Sequence, residues 1–174
     1  GGTLSRRYIG VARELGGSEA LCDLVGIEAS RLNAQLFIAC LGKYAHPSVP
    51  RSYEELVQAY GSGKVVVSGG MQPGQSTNAV AAVAAELIGA ELLVNATNVE
   101  GVYTADPKED PTAVKLDRMT IRELLELVEK GSFYAGSYEL FDLVAARIVE
   151  RSRLTVAFVD GRVPGSIKSA VIDR

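Results

Sequence analysis

Apolar positions along the chain fall into two alternating patterns: stretches at helical spacing, and short β-branched runs with no polar face. Residues 4–15 set Tyr8, Val11, Ala12 and Leu15 at helical spacing. Residues 19–41 continue through Leu24, Ile27, Leu32, Leu36 and Ile38, as one helix or two. A loop over residues 42–51, with Pro47 and Pro50, leads to Ser52-Tyr53-Glu54-Glu55, a capping box opening a helix to about residue 60. Residues 64–68, Lys-Val-Val-Val-Ser, read as a buried parallel strand because they are β-branched and do not alternate. After a glycine-rich loop comes an alanine-rich helix over 77–88, where Ala81, Ala82, Ala84 and Ala85 offer small faces to a sheet. Residues 91–95 read as a strand and 98–117 as a polar loop with two Asp-Pro steps. Thr120-Ile121-Arg122-Glu123 caps a helix to about residue 130, 131–139 is a loop, 140–151 a helix and 154–159 a strand. Such alternation is the α/β signature and predicts a single doubly wound or three-layer domain.

The chain opens on Gly1-Gly2 and turns helical at once. A glycine turn in that position predicts a strand leading into it, upstream of residue 1. At 174 residues and 18.4 kDa a sizeable core can be buried.

A formal charge of −3 with interspersed signs exerts no general pull on nucleic acid, so any bound anion must be held by a local site. Uninterrupted apolar runs are shorter than a bilayer span requires, and no secretory-type leader is visible. The expectation is a soluble cytoplasmic protein. Cys22 and Cys40 lie in apolar helical surroundings without C-x-x-C spacing, and both are expected to be buried, reduced and structural. With a lone histidine, His46, neither a histidine-rich metal site nor an ordinary Ser-His-Asp triad is easy to build, and His46 reads as a loop residue.

In an open parallel sheet, ligands bind beyond the carboxyl ends of the strands, where helix N-termini also point. Three loops qualify. Gly69-Gly70-Met71-Gln72-Pro73-Gly74-Gln75-Ser76-Thr77 lies between strand and helix and nearly matches the P-loop G-x-x-x-x-G-K-[ST]. Gln75 replaces the lysine that would neutralise the β and γ phosphates, so the loop suits a nucleobase or a lesser phosphate rather than a triphosphate. The plain alternative is an ordinary glycine turn. At Gly1-Gly2-Thr3-Leu4-Ser5-Arg6-Arg7, two arginines sit near a helix N-terminus, where the dipole disfavours them unless an anion is close. A solvated arginine pair is the alternative there. The third loop, residues 95–107, offers Tyr103 to an adenine or ribose. Its Asp106 suits ribose hydroxyls, or merely braces the turn before Pro107.

Residues 69–85, the string Thr97-Asn98-Val99-Glu100-Gly101-Val102-Tyr103-Thr104-Ala105-Asp106-Pro107 and the opening glycines with Arg6-Arg7-Tyr8-Ile9 closely resemble the archaeal-type uridylate kinases of the amino acid kinase family. Residues 138–142 and 145–152 agree with the same pattern, so the likeness runs through nearly the whole chain in one register. The Thr97–Pro107 string is shared across the superfamily, whereas the Gly-Gly-x-x-Pro-Gly loop points to UMP.

The resemblance implies a three-layer α/β/α sandwich with a mainly parallel central sheet. It implies transfer of the ATP γ-phosphate to UMP, giving UDP and ADP in pyrimidine (CTP) biosynthesis. Gly1 is expected to face UMP, and Gly2 and Arg6 the ATP phosphates, with Arg6 the catalytic cation. Asp23 matches the carboxylate on the UMP ribose. Met71, Gln72, Pro73, Gly74, Gln75, Ser76 and Thr77 form the UMP loop, and Thr97, Asn98, Tyr103 and Asp106 the ATP pocket. Mg²⁺ is expected to arrive with ATP, since no carboxylate cluster offers a protein-only cage. A hexamer built from dimers and inhibition by UTP are further expectations, with no nucleic-acid or membrane partner.

Compared with the family pattern, the N-terminal strand with its donor-phosphate loop and the end of the C-terminal strand region are expected to be missing from these residues. Three other readings stay open on the same pattern. One is a sister kinase with a small carboxylate or phosphate acceptor; another is a nucleotide-binding regulatory or storage subunit without catalysis; the third is a degenerate P-loop protein with triphosphate contacts at residues 69–76.

Overall fold

The computed structural model describes residues 1–99, 101–104, 110–129, 134–135, 138–139 and 141–173, with 134–135 and 138–139 described by backbone alone. Within the chain two compact units separate, Gly1–Val80 and Ala81–Arg174.

The first unit is built on two packed helices, α1 (Gly2–Glu14) and α2 (Glu19–Leu41). Ser18 caps α2 by accepting from the Leu21 amide at 3.3 Å. The two helices meet closely at Gly26, where an added Cβ would lie 2.9 Å from Ile9 Cδ1 and 3.1 Å from Ser5 Oγ. A short 3₁₀ turn, Gly42–Tyr44, follows, and then α3 (Tyr53–Tyr60). The predicted capping box at α3 forms with a shift: Ser52 Oγ accepts from the Glu55 amide, while the Glu55 carboxylate accepts from the Arg51 amide at 2.7 Å.

Three expectations change in this unit. Residues 19–41 form one 23-residue helix, in which Ile27 is buried but Leu24, Leu32 and Leu36 are exposed. By length and mean hydropathy alone this helix could cross a bilayer, which its short apolar runs did not foretell. Cys22 is buried as expected, but Cys40 is exposed, because it continues the outward Leu32–Leu36 stripe. Residues 64–68 do not make a strand: Val65 forms a single parallel bridge to Ala45 and is half-exposed. A parallel strand is held by its ladder, and β-branching cannot replace the partner.

The second unit carries most of α4 (Thr77–Leu87), the helix that leads out of the glycine-rich loop. A parallel pair follows, β1 (Leu92–Thr97) beside β6 (Thr155–Asp160), in register from Leu92↔Thr155 to Thr97↔Asp160. Part of the expected loop over 98–117 is an antiparallel hairpin, β2 (Val102–Tyr103) with β3 (Lys115–Leu116). Part of the expected loop over 131–139 is the pair β4 (Tyr134–Ala135) and β5 (Tyr138–Glu139). Helix α5 (Ile121–Glu129) starts on the reciprocal box predicted at Thr120 and Glu123. Helix α6 (Leu143–Ser152) is capped by Asp142, three residues later than the pattern suggested. Helix α7 (Ser166–Ile172) ends the described chain.

The core of this unit gathers Ala82 of α4, Leu124, Leu125 and Val128 of α5, and Ala145, Ala146, Ile148 and Val149 of α6 around Phe141. Phe141 meets the ring of Phe158 on β6 edge to face, 5.5 Å between centroids and 83° between planes.

Candidate functional site

One face of α2 organises the first unit. Asp23, Gly26, Ile27, Ser30 and Arg31 recur at intervals of three and four, so they share a stripe on the helix. Against that stripe lie Gly1 and the loop Gly69–Thr77, whose residues were predicted from separate parts of the sequence to bind one ligand. The Gly1 carbonyl accepts from Asn33 Nδ2 at 3.2 Å. Asp23 Oδ2 accepts from the Gly74 amide at 2.8 Å, across 51 positions of sequence. Gly74 makes the turn at φ +77°, a conformation natural to glycine.

The two leading glycines are needed for contact rather than flexibility. A Cβ on Gly69 would lie 2.6 Å from Ser30 Oγ and 2.8 Å from the Arg31 amide nitrogen. At Gly70 it would lie 2.8 Å from Ile27 Cγ1. Ser30 Oγ donates to the Ile27 carbonyl at 2.6 Å and accepts from the Gly70 amide at 2.8 Å, which ties the loop to the helix. Gly69→Ala is therefore expected to push the loop off α2 and cost about tenfold in apparent affinity for the ligand held there. Titration of the variant by calorimetry checks this, and wild-type affinity would refute the close-contact role.

Further along the loop, the Tyr53 hydroxyl donates to Gln75 Oε1 at 2.9 Å. Burial raises the Tyr53 pKa, so the hydroxyl keeps its proton for that bond. Ser76 Oγ accepts from the Ala79 amide at 2.9 Å and caps α4, leaving Thr77 in the first helical position with its side chain exposed. Gln72, Pro73 and Gly74 are exposed, and Met71 is buried. The result is an exposed glycine turn at a helix N-terminus, with a carboxylate beside it. It can offer backbone amides to an anion and a carboxylate to hydroxyl groups.

Gly2 and Arg6 sit in the first turns of α1, Gly2 at φ +58°. Arg6 is exposed and, among the described residues, donates only a long 3.4 Å bond to Thr3 Oγ1. Arg13, on the same helix, is instead forked onto Glu19 at 2.7 and 2.8 Å.

In the second unit, Thr97 ends β1, Asn98 follows it, and Tyr103 lies on β2. Thr97 Oγ1 donates to Asn98 Oδ1 at 3.4 Å. Asp106 lies outside the described residues. Beside Thr97 the structure sets a group that the sequence reading missed, because that reading ended the strand at residue 159. Asp160 is Thr97's partner in the register, and the Gly161 amide donates to the Thr97 carbonyl at 2.8 Å. Arg162 forks onto the Asp160 carboxylate at 2.7 and 2.9 Å, and its backbone amide donates at 2.9 Å. Those hydrogen bonds hold the Asp160 carboxyl down to about 2, so it is ionised. Ser30 and Arg31 sit in no recognisable motif, and Tyr53 shows in the sequence only as part of the α3 capping box, so none of the three announces itself as a site residue.

A model of the amino acid kinase family matches residues 3–160, and the chain belongs to that family. Within it, the chain is 47% identical over 172 residues to a uridylate kinase of Methanococcoides burtonii, covering 99% of this chain and 74% of that protein. It is 52% identical over 172 residues to a uridylate kinase of Hyperthermus butylicus, covering 99% and 76% respectively. The crystal structure of uridylate kinase from Archaeoglobus fulgidus superposes with a TM-score of 0.90 at 46% identity, over 98% of this chain and 77% of that one. The predicted α/β fold class is thereby shown.

Proposed function

We propose that the protein is an ATP-dependent UMP kinase, moving the γ-phosphoryl group of ATP to UMP to give UDP and ADP in cytoplasmic pyrimidine nucleotide synthesis. The observation that carries this reading is the Asp23–Gly74 bond, which joins the residue expected at the ribose to the loop expected at the base and phosphate. Similarity to uridylate kinases at about half identity supports the same substrate.

In this reading the whole chain is one amino acid kinase domain. Gly1, Asp23 and residues Met71, Gln72, Pro73, Gly74, Gln75, Ser76 and Thr77 hold UMP. Gly2, Arg6, Thr97, Asn98 and Tyr103 hold ATP. Asp106 joins them on the family resemblance alone. Phosphoryl transfer of this kind needs alignment and charge neutralisation, with no covalent intermediate on the enzyme. Arg6 supplies an exposed cation, and the loop amides with the α4 N-terminus meet the acceptor phosphate.

Among the described residues no three His, Cys, Asp or Glu side chains converge to hold a metal ion. Mg²⁺ would accordingly come bound to the ATP phosphates rather than in a cage of this chain. The exposed Leu24, Leu32, Leu36 and Phe37 along α2 support self-association, which we assign to a hexamer of dimers with UTP as a feedback inhibitor.

A substrate panel tests the reading. Incubated with ATP, the protein should convert UMP to UDP, with CMP, acetylglutamate and isopentenyl phosphate turned over far more slowly. Tight nucleotide binding without UDP formation would replace the kinase by a nucleotide-binding subunit, and a preference for acetylglutamate or isopentenyl phosphate would move it to a sister activity.

A further inference from the structure

Arg31 is the one buried charged residue among those described, 9% exposed in the middle of α2. A buried guanidinium is costly unless its donors are met, so its partners show what it is for. Nη1 donates to Glu28 Oε1 at 2.7 Å, one turn back on the same helix. Nη2 donates to two backbone carbonyls from distant segments, Arg51 at 3.2 Å and Met71 at 3.4 Å. Its stem runs under the glycine-rich loop: Cγ would touch a Cβ on Gly69 at 3.0 Å. Nε is buried and has no partner, so the head is placed for the carbonyls at the expense of one of its own donors.

From this arrangement we infer that Arg31 is a positioning residue for the acceptor nucleotide, acting through the two carbonyls it gathers. The inference rests on the assignment of the loop to UMP. One carbonyl, that of Met71, belongs to the loop itself. The other, that of Arg51, stands just before the Ser52 cap of α3, and the next residue, Tyr53, reaches Gln75 at the far side of the same loop. Arg31 thus holds the loop at Met71 directly and at Gln75 through α3. Asp23, two helical turns earlier on the same stripe, holds the middle at Gly74. A planar fork with several donors can serve two carbonyls and a carboxylate together, and a lysine ammonium cannot reproduce that spread. Glu28 Oε1 also accepts from Arg51 Nη1 at 3.4 Å, which braces the same junction from outside.

Such a role predicts a split between substrates. Arg31→Lys keeps the charge and the stem but loses the fork, and should raise KM for UMP about tenfold while KM for ATP and kcat stay within about twofold. Arg31→Met should raise KM for UMP further, and its urea midpoint reports how much stability is lost with the fork. Amide hydrogen exchange over residues 69–77 of the lysine variant should quicken relative to the rest of the chain. Wild-type protein is assayed first. If it makes no UDP, the functional reading fails and the Arg31 assignment falls with it. If wild type makes UDP and Arg31→Lys leaves KM for UMP unchanged, the inference alone is overturned. Equal shifts in KM for UMP, KM for ATP and kcat would overturn it too, since they would mark a merely structural arginine.

Discussion

Replacing Arg6 with alanine is expected to lower kcat for UDP formation by about a hundredfold, equivalent to about 2.7 kcal/mol of lost transition-state stabilisation. The argument starts from an unfavourable placement. Arg6 lies in the second turn of α1, close to the positive end of the helix dipole, where a cation is disfavoured. Among the described residues no ion pair compensates it, and its one hydrogen bond is the 3.4 Å contact to Thr3. Arg13 at the other end of the helix shows the ordinary arrangement, forked onto Glu19 where the dipole favours it. An exposed arginine left unpaired at the wrong end of a helix is suited to gripping an incoming phosphate. Arg6→Lys should recover part of the loss as a point charge without a fork. Arg13→Ala should leave kcat within about twofold, because a surface ion pair contributes little. Steady-state kinetics with saturating ATP and UMP makes the comparison, and an unchanged kcat in Arg6→Ala would remove the arginine from the chemistry.

Phe141→Ala is expected to destabilise the protein by about 3–5 kcal/mol, the cost of deleting a fully buried ring and leaving its cavity. Phe141 has no exposed surface and sits where α5, α6 and β6 converge. Its edge-to-face contact with Phe158 is lost together with its burial. The surrounding Ala145 and Ala146 are too small to collapse into the space. Phe141→Leu, which fills most of the volume, should lose roughly half as much. Urea unfolding of the two variants measures both, and a loss under about 1 kcal/mol for the alanine variant would contradict the packing argument.

Much of the local structure could be read from periodicity. Helix α1, the capped helices α3 and α5, the alanine-rich α4 and the strands β1 and β6 lie within a few residues of their expected places. Each is specified by neighbours one to four positions apart, which a linear pattern records directly. The loop Gly69–Thr77 was also legible, since glycines between a strand-like run and a helix, with Gln75 in place of lysine, argue chemistry from composition alone. Residues 64–68 show the limit: three valines announce a strand, but the ladder depends on a partner that local sequence does not supply.

Helix α2 shows what was hidden. Its leucines set the visible period, yet Leu24, Leu32 and Leu36 face outward. The face that meets the loop carries Asp23, Gly26, Ser30 and Arg31, which no hydrophobic count selects. Asp23 entered by family resemblance, and only folding brought it to Gly74. Arg31 reaches Met71 across 40 positions and Tyr53 reaches Gln75 across 22, separations at which no spacing rule operates. By itself, then, the sequence determined helices α1 to α6, the strands β1 and β6, the glycine loop and the family, but not helix α7 or the short pairs β2–β3 and β4–β5. The tertiary structure alone decided which side of α2 faces the loop and which side chains hold it, because those contacts arise from how distant segments pack, and local pattern does not encode that packing.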